Sequence, residues 1–242
     1  MGKAIMNTLY ITGAGVSAES GIPTFRGEDG FWTIGSKNYT PMEMATRLMY
    51  TQQPQEFLAW YYHRFATYRH HGPNAVHHWL ADKNLITQNI DGLDGKAGNT
   101  NYIAIHGRLD QMTLFHEQGD PVEVIQAPWD DVDETQLTKS LLEIFKINNS
   151  PQLNQSLKPF VLLFDEFYTD LYRIDEAVSR MKKADKIIFM GTSFSVNITN
   201  MALDIAIKNG LEVEVVDPNP FILPYAKVVY HRTTALEYIN QQ

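Results

Sequence analysis

The residues of this 242-residue chain that could do chemistry gather in short polar stretches, each placed directly after an apolar run. The first is Gly13-Ala14-Gly15, which follows Thr8–Thr12, and Ala18 completes the G-x-G-x-x-[G/A] spacing that lets backbone approach a pyrophosphate. Glycine turns follow strands in many proteins, so this spacing alone describes a structural turn equally well. The continuation is less common. Ser20-Gly21-Ile22-Pro23 breaks the expected helix within about two turns. Ser17, Ser20, Thr24 and Arg26 crowd hydroxyls and a guanidinium beside the loop, groups suited to holding phosphate.

Four further stretches have the same form. LITQNIDGLD delivers Gln88, Asn89 and Asp91 from a strand ending at Thr87 into a turn at Gly92, and NYIAIHG ends an apolar run on His106. A strand-end histidine beside a carboxylate can act as a general base near neutral pH. IIFMGTSFSV sets Gly191, Thr192 and Ser193 after a strand, and VEVVDPNP ends one on Asp217. Asn and Asp are common in turns for local reasons, but open α/β sheets gather ligand contacts at the carboxyl ends of their strands. These polar ends are therefore expected to face one crevice. A dehydrogenase would also carry Asp or Glu on a second strand about 20 residues beyond the glycines, and none appears there.

The elements that must position these residues follow from periodicity. Strand-like runs recur at 8–12, 85–87, 102–105, 160–164, 186–190, 212–216 and 227–230, several of them nearly continuous in apolar residues, as strands buried on both faces are. Helical patterns cover 169–183 and 197–209, the second stopping at Gly210. This alternation predicts an α/β chain with a Rossmann-like, doubly wound parallel sheet. Two segments interrupt it: 28–82, aromatic and helical, and 107–158, polar with a helical stretch near 134–147. The expected organisation is a Rossmann-like domain of 1–27, 83–106 and 159–242, with a smaller, mainly helical module formed by the two insertions.

Composition narrows the function. Twenty basic against 28 acidic residues give a formal charge of −8, which is not the footprint of a nucleic-acid or anionic-membrane binder. The absence of cysteine excludes disulfides, thiol nucleophiles and Cys-based zinc sites. The N-terminal stretch lacks a signal-type apolar region, and no apolar run is long enough to span a bilayer, so a cytoplasmic monomer is the expectation.

Taken in order, the polar stretches resemble the sirtuin family, the NAD-dependent protein lysine deacylases. The resemblance is carried by G-A-G-x-S-x-x-S-G-I-P-x-F-R-G at 13–27, T-Q-N-I-D-G-L at 87–93, H-G at 106–107 and G-T-S at 191–193. Weaker matches are Lys158-Pro159-x-Val161 with Phe164 and Glu166, and Pro73-Asn74-x-x-His77. The resemblance implies NAD as cofactor, held by Gly13, Ala14, Gly15, Ser17, Arg26, Gln88, Asn89, Asp91, Gly191, Thr192, Ser193 and Asp217. It implies His106 as base on a ribose hydroxyl, with Asn89 and Asp91 at the nicotinamide end. The substrates would be acyl-lysine proteins, and the products free lysine, nicotinamide and O-acyl-ADP-ribose.

Tyr61 and Arg64, three apart on one helical face, resemble the Y-x-x-R pair of sirtuins that accept negatively charged acyl groups, and Ala45 fits the small pocket residue of that subgroup. Succinyl- or malonyl-lysine is thus the expected substrate, with Phe164 among the substrate contacts. The chain also departs from the family. Most sirtuins hold a structural zinc on four cysteines, and none exists here, so no metal is expected; an apolar helix face including Leu137, Leu141, Leu142, Ile144 and Phe145 is expected to take over its packing role. A cluster of His116, Glu117 and Asp120 reads as an ordinary polar loop. Asp165 replaces a glycine in the segment that pairs with substrate backbone, and Asp217 replaces an asparagine near the adenosine ribose. The histidine pairs 70–71 and 77–78 read as helix-end and surface residues. Two rival functions are NAD hydrolysis or ADP-ribosyl transfer without lysine deacylation, and a non-catalytic NAD-binding module.

Overall fold

Runs of β-branched and aliphatic residues become strands because their stiff side chains pack well on a pleated surface. The computed structural model describes residues 6–24 and 39–242. Its strands are β1 (Thr8–Thr12), β2 (Asn84–Thr87), β3 (Ile103–Ala104), β4 (Gly107–Leu114), β5 (Val124–Gln126), β6 (Leu157–Val161), β7 (Lys186–Met190), β8 (Glu212–Val216) and β9 (Val228–His231). Its helices are α1 (Pro41–Met44), α2 (Arg47–Gln52), α3 (Pro54–Tyr68), α4 (Ala75–Trp79), α5 (Leu93–Lys96), α6 (Leu137–Ile144), α7 (Ile174–Lys183), α8 (Asn197–Asn209) and α9 (Ala235–Ile239).

Among the described residues, a parallel sheet runs in the order β3-β2-β1-β7-β8-β9. Successive side chains on a strand point to opposite faces, and both faces here are apolar. Leu9, Ile11, Ile187, Phe189, Val213 and Val215 pack with Ala177 and Met181 of α7 and Ala202 and Ala206 of α8. Tyr10, Leu85, Ile188, Met190 and Val216 pack instead with Val76 of α4 and with Ala235 and Tyr238 of α9. The sheet is doubly wound, as the alternation predicts. The strand order reverses between β1 and β7, which opens a crevice above Thr12 and Met190.

Two expectations are corrected. The run at 160–164, expected as a strand of the parallel sheet, lies instead partly in β6, which pairs antiparallel with β4, and β4 pairs antiparallel with β5. The inserted module is mainly helical but not wholly so: a three-stranded sheet, β5-β4-β6, forms its floor. Every residue of β6 is buried, so its sequence shows a buried strand without showing its partner. The boundary at 158–159 runs through the middle of that strand. The helical pattern at 169–183 is also interrupted, by Arg173 in a left-handed conformation (φ 58°) between a short 3-10 turn and α7.

Above the module's floor, α3 and α6 close an aromatic core. Leu141 and Phe145 at the end of α6 are fully buried against Trp129, which lies 5.7 Å from Phe65 in a stacked arrangement and donates its indole N–H to the Leu109 carbonyl at 2.7 Å. Leu137, Leu142 and Ile144 pack at the edge of the same cluster, so the apolar face of α6 supplies the packing expected of it. Polar tethers add to this. Lys158 of β6 is fully buried, and its ammonium donates to the Val161 carbonyl at 2.9 Å and to Glu166 at 3.2 Å. Glu166 also receives Arg47 of α2 at 3.1 Å. Burial opposes the charge on both Lys158 and Glu166, and the neighbouring ammonium and guanidinium hold the Glu166 carboxyl below its usual range.

Candidate active site

At the crevice, two loops meet backbone to backbone. Gly13 N–H donates to the Met190 carbonyl at 3.1 Å, and Gly15 N–H to the Gly191 carbonyl at 2.9 Å. A Cβ on Gly15 would lie 2.6 Å from the Gly191 Cα, and Gly191 itself has φ +61°, where side chains other than glycine are strained. The chain then makes a 3-10 turn over Ala14–Ser20 and stops at Gly21 in a left-handed conformation, so the glycine loop passes into another loop. The side-chain-free seam leaves a cradle in which backbone can approach a phosphate group.

This cradle forms one end of a cavity of about 1290 Å³. Gly13, Ala14, Gly15, Ser17, Gln88, Asn89, Asp91, Gly191, Thr192, Ser193 and Asp217 all line it, together with His106. The donor set and the glycine seam fit a dinucleotide. Arg26 lies outside the described residues.

The side chains after β2 tie the crevice together. Gln88 donates through Nε2 to the Thr12 carbonyl at 3.0 Å and to Thr192 at 3.1 Å, bridging the ends of β1 and β7. Asn89 donates to the Gly13 carbonyl and to Ser17 Oγ, each at 3.1 Å, and Ser17 donates to Asp91 at 2.7 Å. His77 completes the group and corrects an expectation: it is fully buried, not on a helix surface, with Nε2 3.4 Å from Ser17 Oγ. Asn74 caps α4 and also holds the His77 ring, which turns it inward beneath the glycine loop. The Pro73-Asn74-x-x-His77 spacing was the available signal, because an N-cap three residues before a histidine fixes the face it occupies.

His106 stands at the end of β3, just before β4 begins. Gly107 follows it with φ +79°, and a Cβ there would lie 2.1 Å from the Phe160 carbonyl, so the H-G pair is required for β4 to leave antiparallel to β6. The ring contacts the Gln88 carbonyl through Nδ1 at 2.9 Å and the Tyr168 hydroxyl through Nε2 at 2.9 Å. A carbonyl only accepts, so Nδ1 carries the proton and Nε2 is the acceptor. Burial disfavours the imidazolium and pushes the His106 pKa down to about 4. The ring is neutral at pH 7, with its basic nitrogen on the Tyr168 hydroxyl. Tyr168 escaped the sequence reading because nothing in EFYTD separates it from the neighbouring aromatic residues.

The far wall belongs to the module. Ala45, Tyr61, Arg64 and Phe164 line the same cavity. Tyr61 and Arg64 are both buried, and burial raises the Tyr61 pKa and lowers that of Arg64 to about 10. The Arg64 guanidinium donates to the Trp60 carbonyl at 3.0 Å and lies over the Trp60 ring. Phe164 is half-exposed, and its N–H donates to the Ala45 carbonyl at 2.9 Å, joining the β6 exit to the α1 end. Asp165 turns its carboxylate onto the first amides of α2, accepting from Arg47 N–H at 2.7 Å and Leu48 N–H at 3.2 Å. Asp217 accepts from the Asn219 N–H at 2.8 Å at the opposite end. Among the described residues, no group of three or more His, Asp or Glu side chains is arranged to hold a metal.

Comparison with known proteins agrees with this geometry. Residues 13–198 match the model of the Sir2 family. The chain is 32% identical over 240 residues to NAD-dependent protein deacylase 1 of Caldanaerobacter subterraneus, an alignment covering 96% of this chain and 90% of that protein. It is 34% identical over 201 residues to NAD-dependent protein deacylase 1 of Archaeoglobus fulgidus, covering 79% and 74%. A solved structure described as a Sir2 homolog–NAD complex superposes with a TM-score of 0.74 at 30% identity, covering 97% of this chain and 86% of that one. The chain therefore belongs to the Sir2 family, the sirtuins, and is an NAD-dependent enzyme.

Proposed function

We propose that the protein is a protein lysine deacylase that acts on acyl groups ending in a carboxylate, succinyl- and malonyl-lysine before acetyl-lysine. The observation that carries this reading is the placement of Tyr61 and Arg64 on the wall of the cavity that also holds His106. A guanidinium presents its donors as a rigid fork that matches a carboxylate, and in a buried site such a contact gains from the low local dielectric. Its burial disfavours its own charge, so an anionic group entering beside it relieves part of that cost. Ala45, the small residue of the same wall, leaves room for a chain longer than acetyl. The other end of the cavity would hold NAD on the glycine seam, and when bound NAD supplies an electrophilic ribose carbon with nicotinamide as the leaving group. On this side, Asn89, Ser17 and Asp91 orient polar groups towards it, and His106 offers a neutral nitrogen that can accept a proton.

Purified protein with NAD and matched acetyl-, malonyl- and succinyl-lysine peptides, followed by mass spectrometry, tests the reading. Arg64→Met should lower kcat/KM for the succinyl peptide roughly 10- to 100-fold, as expected when a charge-assisted hydrogen bond is lost, and leave the acetyl peptide within about threefold. Equal losses for both peptides would remove the acyl specificity. Nicotinamide released while every peptide stays intact would instead assign NAD hydrolysis or ADP-ribosyl transfer.

A further inference from the structure

The nitrogen that must act as base is already occupied by a side chain. Tyr168 Oη lies 2.9 Å from His106 Nε2, the two rings are stacked at 5.9 Å with 25° between their planes, and Nδ1 is committed to the Gln88 carbonyl. Since Nε2 is the acceptor, the tyrosine donates to it. Tyr168 itself lines the cavity. A phenol oxygen carries two acceptor lone pairs. They can accept from a donor arriving from the cavity. The ring also packs against the main core beneath the parallel sheet, which resists its swinging out of the way.

We propose that Tyr168 is the outward face of the base, a catalytic residue through which His106 acts. This rests on the reading of His106 as the base. Tyr168 Oη takes the proton of a nucleotide ribose hydroxyl while its own proton passes to His106 Nε2. The O–H bond of that hydroxyl breaks and its electron pair is left to attack the acyl carbon. Tyrosine is neutral before and after, and the charge ends on the imidazolium, steadied through Nδ1–H by the Gln88 carbonyl. Nothing else in the chain is consumed, and the site resets when the proton on Nε2 returns through Tyr168 to the lysine nitrogen that departs as the free amine.

Two kinds of measurement test the relay. In the ligand-free protein, 15N NMR of the His106 ring should show an Nδ1–H tautomer, with an Nε2 resonance that moves in Tyr168→Phe; an unmoved resonance would overturn the proposal without any turnover. In single-turnover deacylation of a peptide that the wild type accepts, Tyr168→Phe should lose at least about tenfold in rate with the KM for NAD within about twofold, and the double variant with His106→Ala should be no slower than His106→Ala alone. A full rate in Tyr168→Phe, or losses that multiply in the double variant, would overturn it. If Tyr168→Phe does not fold, a difluorinated tyrosine at position 168 keeps the ring and the hydroxyl, and the rate must follow the altered acidity. A fully active His106→Ala would instead bring down the base reading, a result distinct from failure of the relay because the NMR signature of Tyr168 on Nε2 would stand.

Discussion

The two ends of the cavity are built by opposite means. At the glycine end, the contact between the Gly13–Gly15 and Gly191 loops is backbone on backbone and depends on atoms that are missing. At the module end, Ala45 and Tyr61 belong to an aromatic core and Arg64 lies over the Trp60 ring, so the wall depends on side chains that are present. A seam without side chains tolerates no substitution, whereas a packed wall can be rebuilt with different residues of similar volume. In the module, α6, Trp129 and the Lys158–Glu166–Arg47 group join its floor to its helices.

The contrast can be broken at the seam first. Gly191→Ala should cost at least about 100-fold in kcat/KM or prevent folding, because its Cβ would lie 2.7 Å from the Gly15 Cα at a positive φ. Calorimetric NAD titration with a thermal melt reads both effects, and near-normal NAD binding would show that the two loops can part. Next comes the module. Lys158→Met should destabilise the protein by about 3 kcal/mol, since it leaves the buried Glu166 carboxylate short of one of its two cations. Chemical denaturation measures this, and a loss confined to the module would appear as a separate early transition. A negligible loss would mean that Arg47 alone satisfies Glu166.

The smallest effect sharpens the comparison by pH. Asp94, buried in α5 just behind Asp91, has its carboxyl pushed up to about 7, chiefly by burial and then by the Asp91 charge, and its Oδ1 has no hydrogen-bond partner among the described residues. A carboxyl raised in the folded state costs stability as pH rises from its ordinary value to the folded one, because the unfolded chain releases its proton first. Asp94→Asn should therefore be more stable than wild type at pH 8 and nearly equal to it at pH 4. Thermal melts at the two values check the sign. Equal gains at both would trace the effect to packing instead of charge.

The parallel sheet was legible because its strands are continuous apolar runs that stop at polar ends, and β1, β7 and β8 begin and end where the pattern places them. Gly210 ends α8 for an equally local reason. The site residues at these ends were legible too, since glycine, amide and histidine at a strand terminus carry their chemistry in their type. Three features were not. The partner of β6 is chosen by pairing with β4, a contact spanning more than forty residues. The Asn74 cap sets the face that His77 occupies, but burial of that face depends on the glycine loop packed above it. The Tyr168 bond to His106 joins two segments 62 residues apart that nothing local brings together.

By itself, then, the sequence determined where backbone must come close and where polar groups end a strand, because glycine freedom, apolar periodicity and helix stops act over a few residues. Only the tertiary structure decided which strands share a sheet, which histidine is buried and which hydroxyl meets the base. Those outcomes depend on packing between distant segments, where one residue type serves several roles until its neighbours select among them.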